Sequence, residues 1–283
     1  MGIGDDAAVI EPPPEGHQQV ACTDQIIDGV DFQSAKQSLA DIGYKSVAIN
    51  LSDIAAMGAT PTAALVTLAL PKTHATKTAG DVYEGILEAA AKYNLSIAGG
   101  DLSTYDGPLS ISVTLLGHVA KNAAWLRSEA QERDAILVSG AVGGSILGRH
   151  LRPEPRVSLA SQLRESVKVT AAIDVSDGLS LDLDRLCASS GVGAELDIDS
   201  IPIHADAIEL SRTSGRTPMQ HAWSDGEDFE LILTMSQEDA DRALQMDFGI
   251  PLTQIGSTTG RTGLWQQETG SFKRLSPQGY VHQ

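Results

Sequence analysis

Two hydrophobic rhythms alternate along this chain. Leu109, Ile111, Val113 and Leu115 interleave with Ser110, Ser112 and Thr114, which predicts a strand with one buried face. From about Ser38 to Met57 the period lengthens. Val47, Leu51 and Ile54 share one helical face there, while Asn50, Asp53 and Met57 share another. Gly58 and Pro61 are stop signals for that helix. Apolar runs predict strands at 18–23 and at 63–70, the latter closed by Pro71. The first is expected to deliver Thr23 and Asp24 at its C-terminal end. A helix over 79–93 leads to a short strand ending at Gly99-Gly100-Asp101.

The second half repeats the alternation. Strands are predicted at 135–139, 194–198, 229–234 and near 253–256. Helices are predicted after Gly143-Gly144-Ser145, after Gly178 with Leu179, Leu183 and Leu186 on one face, at 205–214 and at about 237–246, before a closing hairpin. Interleaved strands and helices make the class α/β, or α+β. Residues 120–124 are the expected linker, which divides the chain into an N-terminal domain, 1–119, and a C-terminal α/β domain, 120–283. Pro12-Pro13-Pro14 reads as loop, and no internal repeat is visible.

Composition narrows the function. With 283 residues, 42% hydrophobic but only 4% aromatic, the core rests on Ala, Val, Ile and Leu. A formal net charge of −17 speaks against a nucleic-acid partner, because phosphate backbones demand clustered Lys and Arg. Cys22 and Cys187 lie far apart without metal-ligand spacing, which fits a reducing compartment. No apolar run approaches the ~18–20 residues that span a membrane, and no secretory leader is visible, so a cytoplasmic location is expected.

Against that acidity stands a set of short aspartate motifs beside glycines or at element ends: Gly4-Asp5-Asp6, Thr23-Asp24, Asn50-Leu51-Ser52-Asp53, Gly99-Gly100-Asp101 and Asp174-Val175-Ser176-Asp177-Gly178. Mg2+ takes oxygen ligands and is usually held by one or two carboxylates together with substrate phosphates and water. Several such motifs suggest several hard cations shared with a polyphosphate, since bound cations invert the local charge. Asp53 near a helix C-terminus points the same way, because the macrodipole there disfavours a carboxylate unless a cation is near. Taken singly, each motif also has a structural reading: a turn at Gly-Asp-Asp or Asp177-Gly178, or a helix N-cap at Asp174 or Asp177. The Gly140–Gly144 run follows a strand, yet its spacing does not match a dinucleotide loop, and a tight turn is the better reading. No Walker A sequence and no protein-kinase motif is present.

In order, the stretches GIGDDAAVI, TDQIIDGVDF, IGYKSVAINLSDIAAMGA, AGGDLS, LRSEA, AIDVSDGLSLDL, SGVGAEL and SDGEDFELILT resemble the thiamine-monophosphate kinase family, within the superfamily of aminoimidazole ribonucleotide synthetase. RPEPR lies among them and a weaker GYVH near the C-terminus. The resemblance implies two α/β domains, the N-terminal one binding ATP and Mg2+ and lending strands to a barrel formed across a homodimer. It implies transfer of the γ-phosphoryl group of ATP to thiamine monophosphate, giving thiamine diphosphate. Carried over by position, Asp6, Asp24, Asp53, Asp101, Asp174 and Asp177 are the implied metal ligands, with Asp53, Asp101 and Asp177 central. Thr23, Gly100, Asp101, Arg127 and Ser176 would contact the nucleotide. Asp31, Glu227 and Tyr280 would face the substrate. No general base is implied: a substrate phosphate, with a second pKa of about 6, is already ionised at neutral pH.

Three departures qualify the match. The family usually carries a helical segment before GIGDD, whereas this chain starts almost at the motif, so an N-terminal element is expected to be absent. Asp31 stands where the family has a histidine, and an aspartate there would weaken a phosphate contact or suit a cationic thiazolium. Asp225 replaces the first glycine of GGEDYEL, a position where φ > 0 would strain most residues but Asp least. Two alternatives therefore stay open: an ATP-dependent enzyme of the same superfamily acting on another small phosphorylated or carboxylated substrate, and a non-catalytic nucleotide-binding paralogue.

Overall fold

The computed structural model describes residues 7–268 and 271–281, which fall into two compact units. The first comprises the residues up to Ala55, then Ala59–Ala124 and Leu151–Val157. The second holds Ala56–Gly58, Trp125–His150 and everything from Ser158 onward. The excursion at 151–157 is a feature that no linear boundary anticipates.

In the first unit the elements are β1 (His17–Ile27), α1 (Leu39–Ala56), β2 (Thr60–Pro71), α2 (Ala75–Lys92), β3 (Ser96–Tyr105) and β4 (Ser110–Ala120). The sheet order is β1-β4-β2-β3. Only β2 and β3 run parallel, and α2 is the crossover that parallel neighbours require. Val47, Leu51 and Ile54 are fully buried, as the spacing predicts. Burying each such side chain contributes about 1.5–3 kcal/mol. Helices α1 and α2 meet backbone to backbone: a Cβ on Gly85 would lie 1.7 Å from the Ala40 carbonyl oxygen. No side chain fits at that crossing.

Strand β1 is longer than its apolar run suggests. Thr23 and Asp24 sit in its middle, paired with Thr114 and Val113, not at its end. Gly100 and Asp101 are likewise internal to β3, which runs on to Tyr105. In both cases pairing with a long neighbour extends the ladder through polar residues that hydrophobic pattern alone leaves out.

The second unit holds β5 (Ala135–Ser139), α3 (Val157–Ser166), β6 (Val169–Asp174), α4 (Leu179–Ser190), β7 (Gly193–Leu196), α5 (Ala205–Ser214), α6 (Pro218–Ser224), β8 (Leu231–Met235), α7 (Gln237–Leu244), β9 (Leu252–Thr259) and the hairpin β10 (Gly263–Glu268) and β11 (Ser271–Leu275). Its sheet runs β11-β10-β7-β9-β5-β8-β6. Leu179, Leu183 and Leu186 pack with Ile136, Val138 and Ile232 in its core. The helix expected after Gly144 is only a 3-10 turn, Ser145–Leu147, stopped by Gly148 at φ 137°. Helix α6 carries a capping box, with Thr217 and Gln220 satisfying each other's backbone N–H. Among the described residues no helix is long and apolar enough to cross a membrane.

Candidate functional site

Each unit gathers part of the acidic set. In the first, β1 turns Cys22, Asp24 and Ile26 towards α1, where the Cys22 thiol donates to the Asn50 carbonyl at 3.4 Å. The next turn of α1 presents Asp53, and the Asp24 and Asp53 carboxyls are hydrogen-bonded to each other. Burial raises the Asp24 carboxyl above the usual carboxylate range, and the bond to Asp53 pulls it partly back. Two half-buried carboxyls in contact need either a shared proton or a cation.

Thr23 points the other way. Successive strand residues face opposite sides of a sheet, and its hydroxyl donates to the Val113 carbonyl at 3.1 Å and lies 3.0 Å from the Thr114 hydroxyl. Gly100 sits where a Cβ would meet the Val66 carbonyl oxygen at 1.8 Å, so only glycine lets β3 pair there. Asp101 beside it is exposed on the edge strand.

Asp31 is engaged by its own turn. Its carboxylate accepts from the Ile27 N–H at 2.8 Å, and its carbonyl accepts from the ammonium of the buried Lys45 at 3.2 Å. Asp6 lies outside the described residues.

In the second unit two segments converge on the turn after β6. Asp174 is buried at the strand end. The Glu227 N–H donates to the Ser176 carbonyl at 2.7 Å, and Phe229 N–H to the Val175 carbonyl at 2.9 Å. From the C-terminal segment, the Tyr280 N–H donates to the Asp177 carbonyl at 2.9 Å, while Gln278 and the Ser180 hydroxyl bind each other. Ser176, Asp177, Glu227 and Tyr280 are thereby joined through backbone contacts, although they come from sequence segments far apart. Arg127 is tied elsewhere: it is exposed in the loop before β5, and its carbonyl accepts from the Ser190 hydroxyl at 2.8 Å.

Asp177 is not the N-cap of α4. Gly178 holds that position, and the buried Asp182 reaches back to the N–H groups of Asp177 and Gly178 at 2.9 and 3.0 Å. Burial pushes the Asp182 carboxyl up, while the Asp177 N–H and the nearby Arg185 draw it down. Arg185 is ion-paired with both Asp177 and Asp182. The motif pattern misses this cation. Its signal is the Asp182–Arg185 spacing of a helical ion pair just after the turn.

The glycine run before the 3-10 turn is closed to phosphate. Gly143 N–H donates to Asp228 at 2.7 Å and Gly144 N–H to Asp225 at 3.1 Å, so the amides of a would-be anion cradle already face carboxylates. Asp225 has φ −73°, which removes the strain expected at that position. The left-handed residues are instead Glu227 at φ 61° and Phe229 at φ 53°. Arg149 bridges Asp206 and Asp228 at 2.8 and 3.0 Å. Burial pushes Asp228 up to about 7, against the pull of the Gly143 N–H and Arg149.

Ser214, His221 and Asp225 form a hydrogen-bonded chain at 2.7 and 2.8 Å. The serine ends α5, where the helix dipole repels a developing oxyanion, and Asp225 is also committed to Arg216 and Gly144. The chain locks α5 to α6.

Among the described residues no three acidic, His or Cys side chains converge as a ready-made metal cage. The donor set still suits magnesium, which needs only one or two carboxylates beside phosphates and water. The Asp24–Asp53 contact supplies such a pair.

Comparison with known proteins gives two family matches: AIR synthase related protein, N-terminal domain, over residues 4–119, and its C-terminal domain over residues 114–264. A thiamine-monophosphate kinase of Rhodopirellula baltica is 61% identical over 289 residues, covering 100% of this chain and 91% of that protein. The crystal structure of thiamine-monophosphate kinase from Stenotrophomonas maltophilia is 35% identical, with a TM-score of 0.84 over 94% of this chain and 90% of that one. AaThiL complexed with AMPPCP and TMP is 27% identical, also with a TM-score of 0.84, over 99% of this chain and 91% of that one.

Proposed function

Since the chain belongs to the thiamine-monophosphate kinase family of AIR synthase related proteins, we infer that it is a thiamine-phosphate kinase, transferring the γ-phosphoryl group of ATP to thiamine monophosphate to give thiamine diphosphate. The observation that carries this reading is the 61% identity to the Rhodopirellula enzyme along the whole of this chain.

The chemistry matches the residues. The nucleophile is an oxygen of the substrate phosphate, whose second pKa is about 6, so no side chain has to remove a proton. The barrier is the approach of two polyanions, and catalysis reduces to positioning and charge neutralisation. Magnesium, when bound, supplies the positive charge that allows that approach. Asp24 and Asp53 would hold it in the first unit, with Asp6 from the chain's start; Asp101 is assigned as a further ligand from β3, at the opposite edge of that sheet from β1. Asp174 and Asp177 would do so in the second. Thr23, Gly100, Ser176 and Arg127 are assigned to the nucleotide, Arg127 because its planar fork suits two phosphate oxygens. Glu227 and Tyr280 are assigned to the thiamine moiety, a placement supported by their shared anchorage to the turn at 176–177. Asp31 is assigned to the same side.

Residues 1–119 are read as the ATP- and magnesium-binding and dimerisation domain, and 120–283 as the C-terminal α/β domain. Support for a homodimer with strands joined in a barrel comes from the four-stranded sheet: its edge strand β3 is exposed, with Leu102 at 53%, and Leu65 on β2 is exposed at 37%. A cytoplasmic site of action fits the two free cysteines.

Incubation with ATP, Mg2+ and a panel of phosphorylated and carboxylated acceptors, followed by ADP release, tests the assignment. Thiamine monophosphate is expected to be turned over far faster than any other acceptor. Preference for a different acceptor would move the enzyme elsewhere in the superfamily, and nucleotide binding without turnover would make it a non-catalytic paralogue.

A further inference from the structure

Arg185 has no role in the reading above, yet it is the cation in contact with the Asp177 carboxylate. The same nitrogen, Nη1, pairs with Asp177 and with Asp182, the latter at 2.8 Å. These two carboxylates differ. Asp182 is fully buried and is already bound by the N–H groups of Asp177 and Gly178 at 2.9 and 3.0 Å. Its geometry serves the turn. The Asp177 side chain is 17% exposed at the lip of that turn, and the Arg185 side chain 39% exposed.

We propose that Arg185 is a built-in counter-cation that competes with the divalent metal for Asp177 and passes to a phosphate oxygen once metal and nucleotide engage the turn. The inference rests on the reading of Asp177 as a metal ligand.

The physics sets its sign. Asp177 and Asp182 are like-charged neighbours, and Arg185 is the positive charge between them. Without it, the turn attracts a cation more strongly. An ion pair this open to water is weak enough to exchange, since exposed pairs are typically worth about 1 kcal/mol or less. A guanidinium carries five N–H donors in a planar fork, which suits a phosphate as well as a carboxylate. Arg185 therefore lowers the net negative charge of the turn at rest, holds down its affinity for free metal and ties metal binding to the arrival of nucleotide.

Mn2+ binding followed by electron paramagnetic resonance, on the full chain without substrate, tests this. Neutral variants Arg185→Gln and Arg185→Met, either of which suffices, are expected to bind Mn2+ about two- to five-fold more tightly than the parent, by the magnitude of a released ion pair. They should also lose most of the enhancement that a non-hydrolysable ATP analogue gives the parent. Arg185→Lys keeps the charge and should stay close to the parent. Damage to the turn would weaken Mn2+ binding, the opposite sign. Asp177→Asn separates the two ideas. If it weakens Mn2+ binding while the neutral Arg185 variants bind no more tightly than the parent, the competition fails and the ligand assignment stands. If Asp177→Asn leaves Mn2+ binding unchanged, both fall.

Discussion

The carboxyl of Asp24, midway along β1, is hydrogen-bonded to that of Asp53, in the last turn of α1. Burial raises the Asp24 carboxyl above its ordinary value, against the pull of the bond to Asp53, so the metal-free pair keeps its proton to a higher pH than a free aspartate would. A group whose folded pKa is raised adds stability below its unfolded value and loses it as pH rises through the folded one. Metal-free protein should therefore lose stability as pH rises from the acid range through the raised Asp24 value, and Mg2+ should offset that loss. Metal must displace the shared proton, so the Mg2+ needed for half-maximal activity should rise as pH falls. Thermal melts across pH with and without Mg2+ check the first point; an equal Mg2+ shift at pH 5 and pH 8 would contradict it.

Asp228 gives a second pH signature in the other unit. Its carboxyl is pushed from 3.8 up to about 7 by burial, so stability should decline from about pH 4 to about pH 7 by at most ~1.4 kcal/mol per unit and level off above. Asp228→Asn should flatten that slope. A slope unchanged by the substitution would place the titrating group elsewhere.

Glu227 holds a left-handed backbone at φ 61°, a conformation that costs about 1 kcal/mol or more in a non-glycine residue. Glu227→Gly should therefore leave the protein at least as stable as the parent. Its KM for thiamine monophosphate should rise about tenfold, the scale of one lost charged contact of roughly 1.4 kcal/mol. Lower stability with unchanged KM would reverse the assignment.

Asp31 accepts from the Ile27 N–H at 2.8 Å. Asp31→Ala should cost about 1 kcal/mol, the loss of one side-chain hydrogen bond to a backbone donor. Chemical denaturation reads this directly.

Much of this architecture is legible in the chain. The α1 face of Val47, Leu51 and Ile54 is buried as its spacing requires, and β5 and α5 run as the pattern marks them. The helix–strand contact between Asp24 and Asp53 follows from two periodicities once β1 and α1 are placed side by side. What escapes is set by tertiary contact. Thr23 and Asp24 read as one motif, but the strand's period of two sends them to opposite faces. Arg185 joins Asp177 only because α4 starts at Gly178 and carries it back over the turn. Asp225 needs no left-handed backbone, because Glu227 and Phe229 take that conformation instead. The turn at 176–177 collects Glu227 and Tyr280 through main-chain bonds that no side-chain pattern reveals.

The proposed reaction is phosphoryl transfer to the substrate phosphate, with Asp53 assigned as a ligand of the metal. The most direct measurement is thiamine diphosphate formed from thiamine monophosphate and ATP, with and without Mg2+, by the parent and by Asp53→Asn. Product is expected from the parent only when Mg2+ is present, with a loss of about 100-fold or more in a folded Asp53→Asn, on the scale of removing one preorganised charge from a phosphoryl-transfer site. Undiminished product from Asp53→Asn, or from the parent without Mg2+, would contradict this reading.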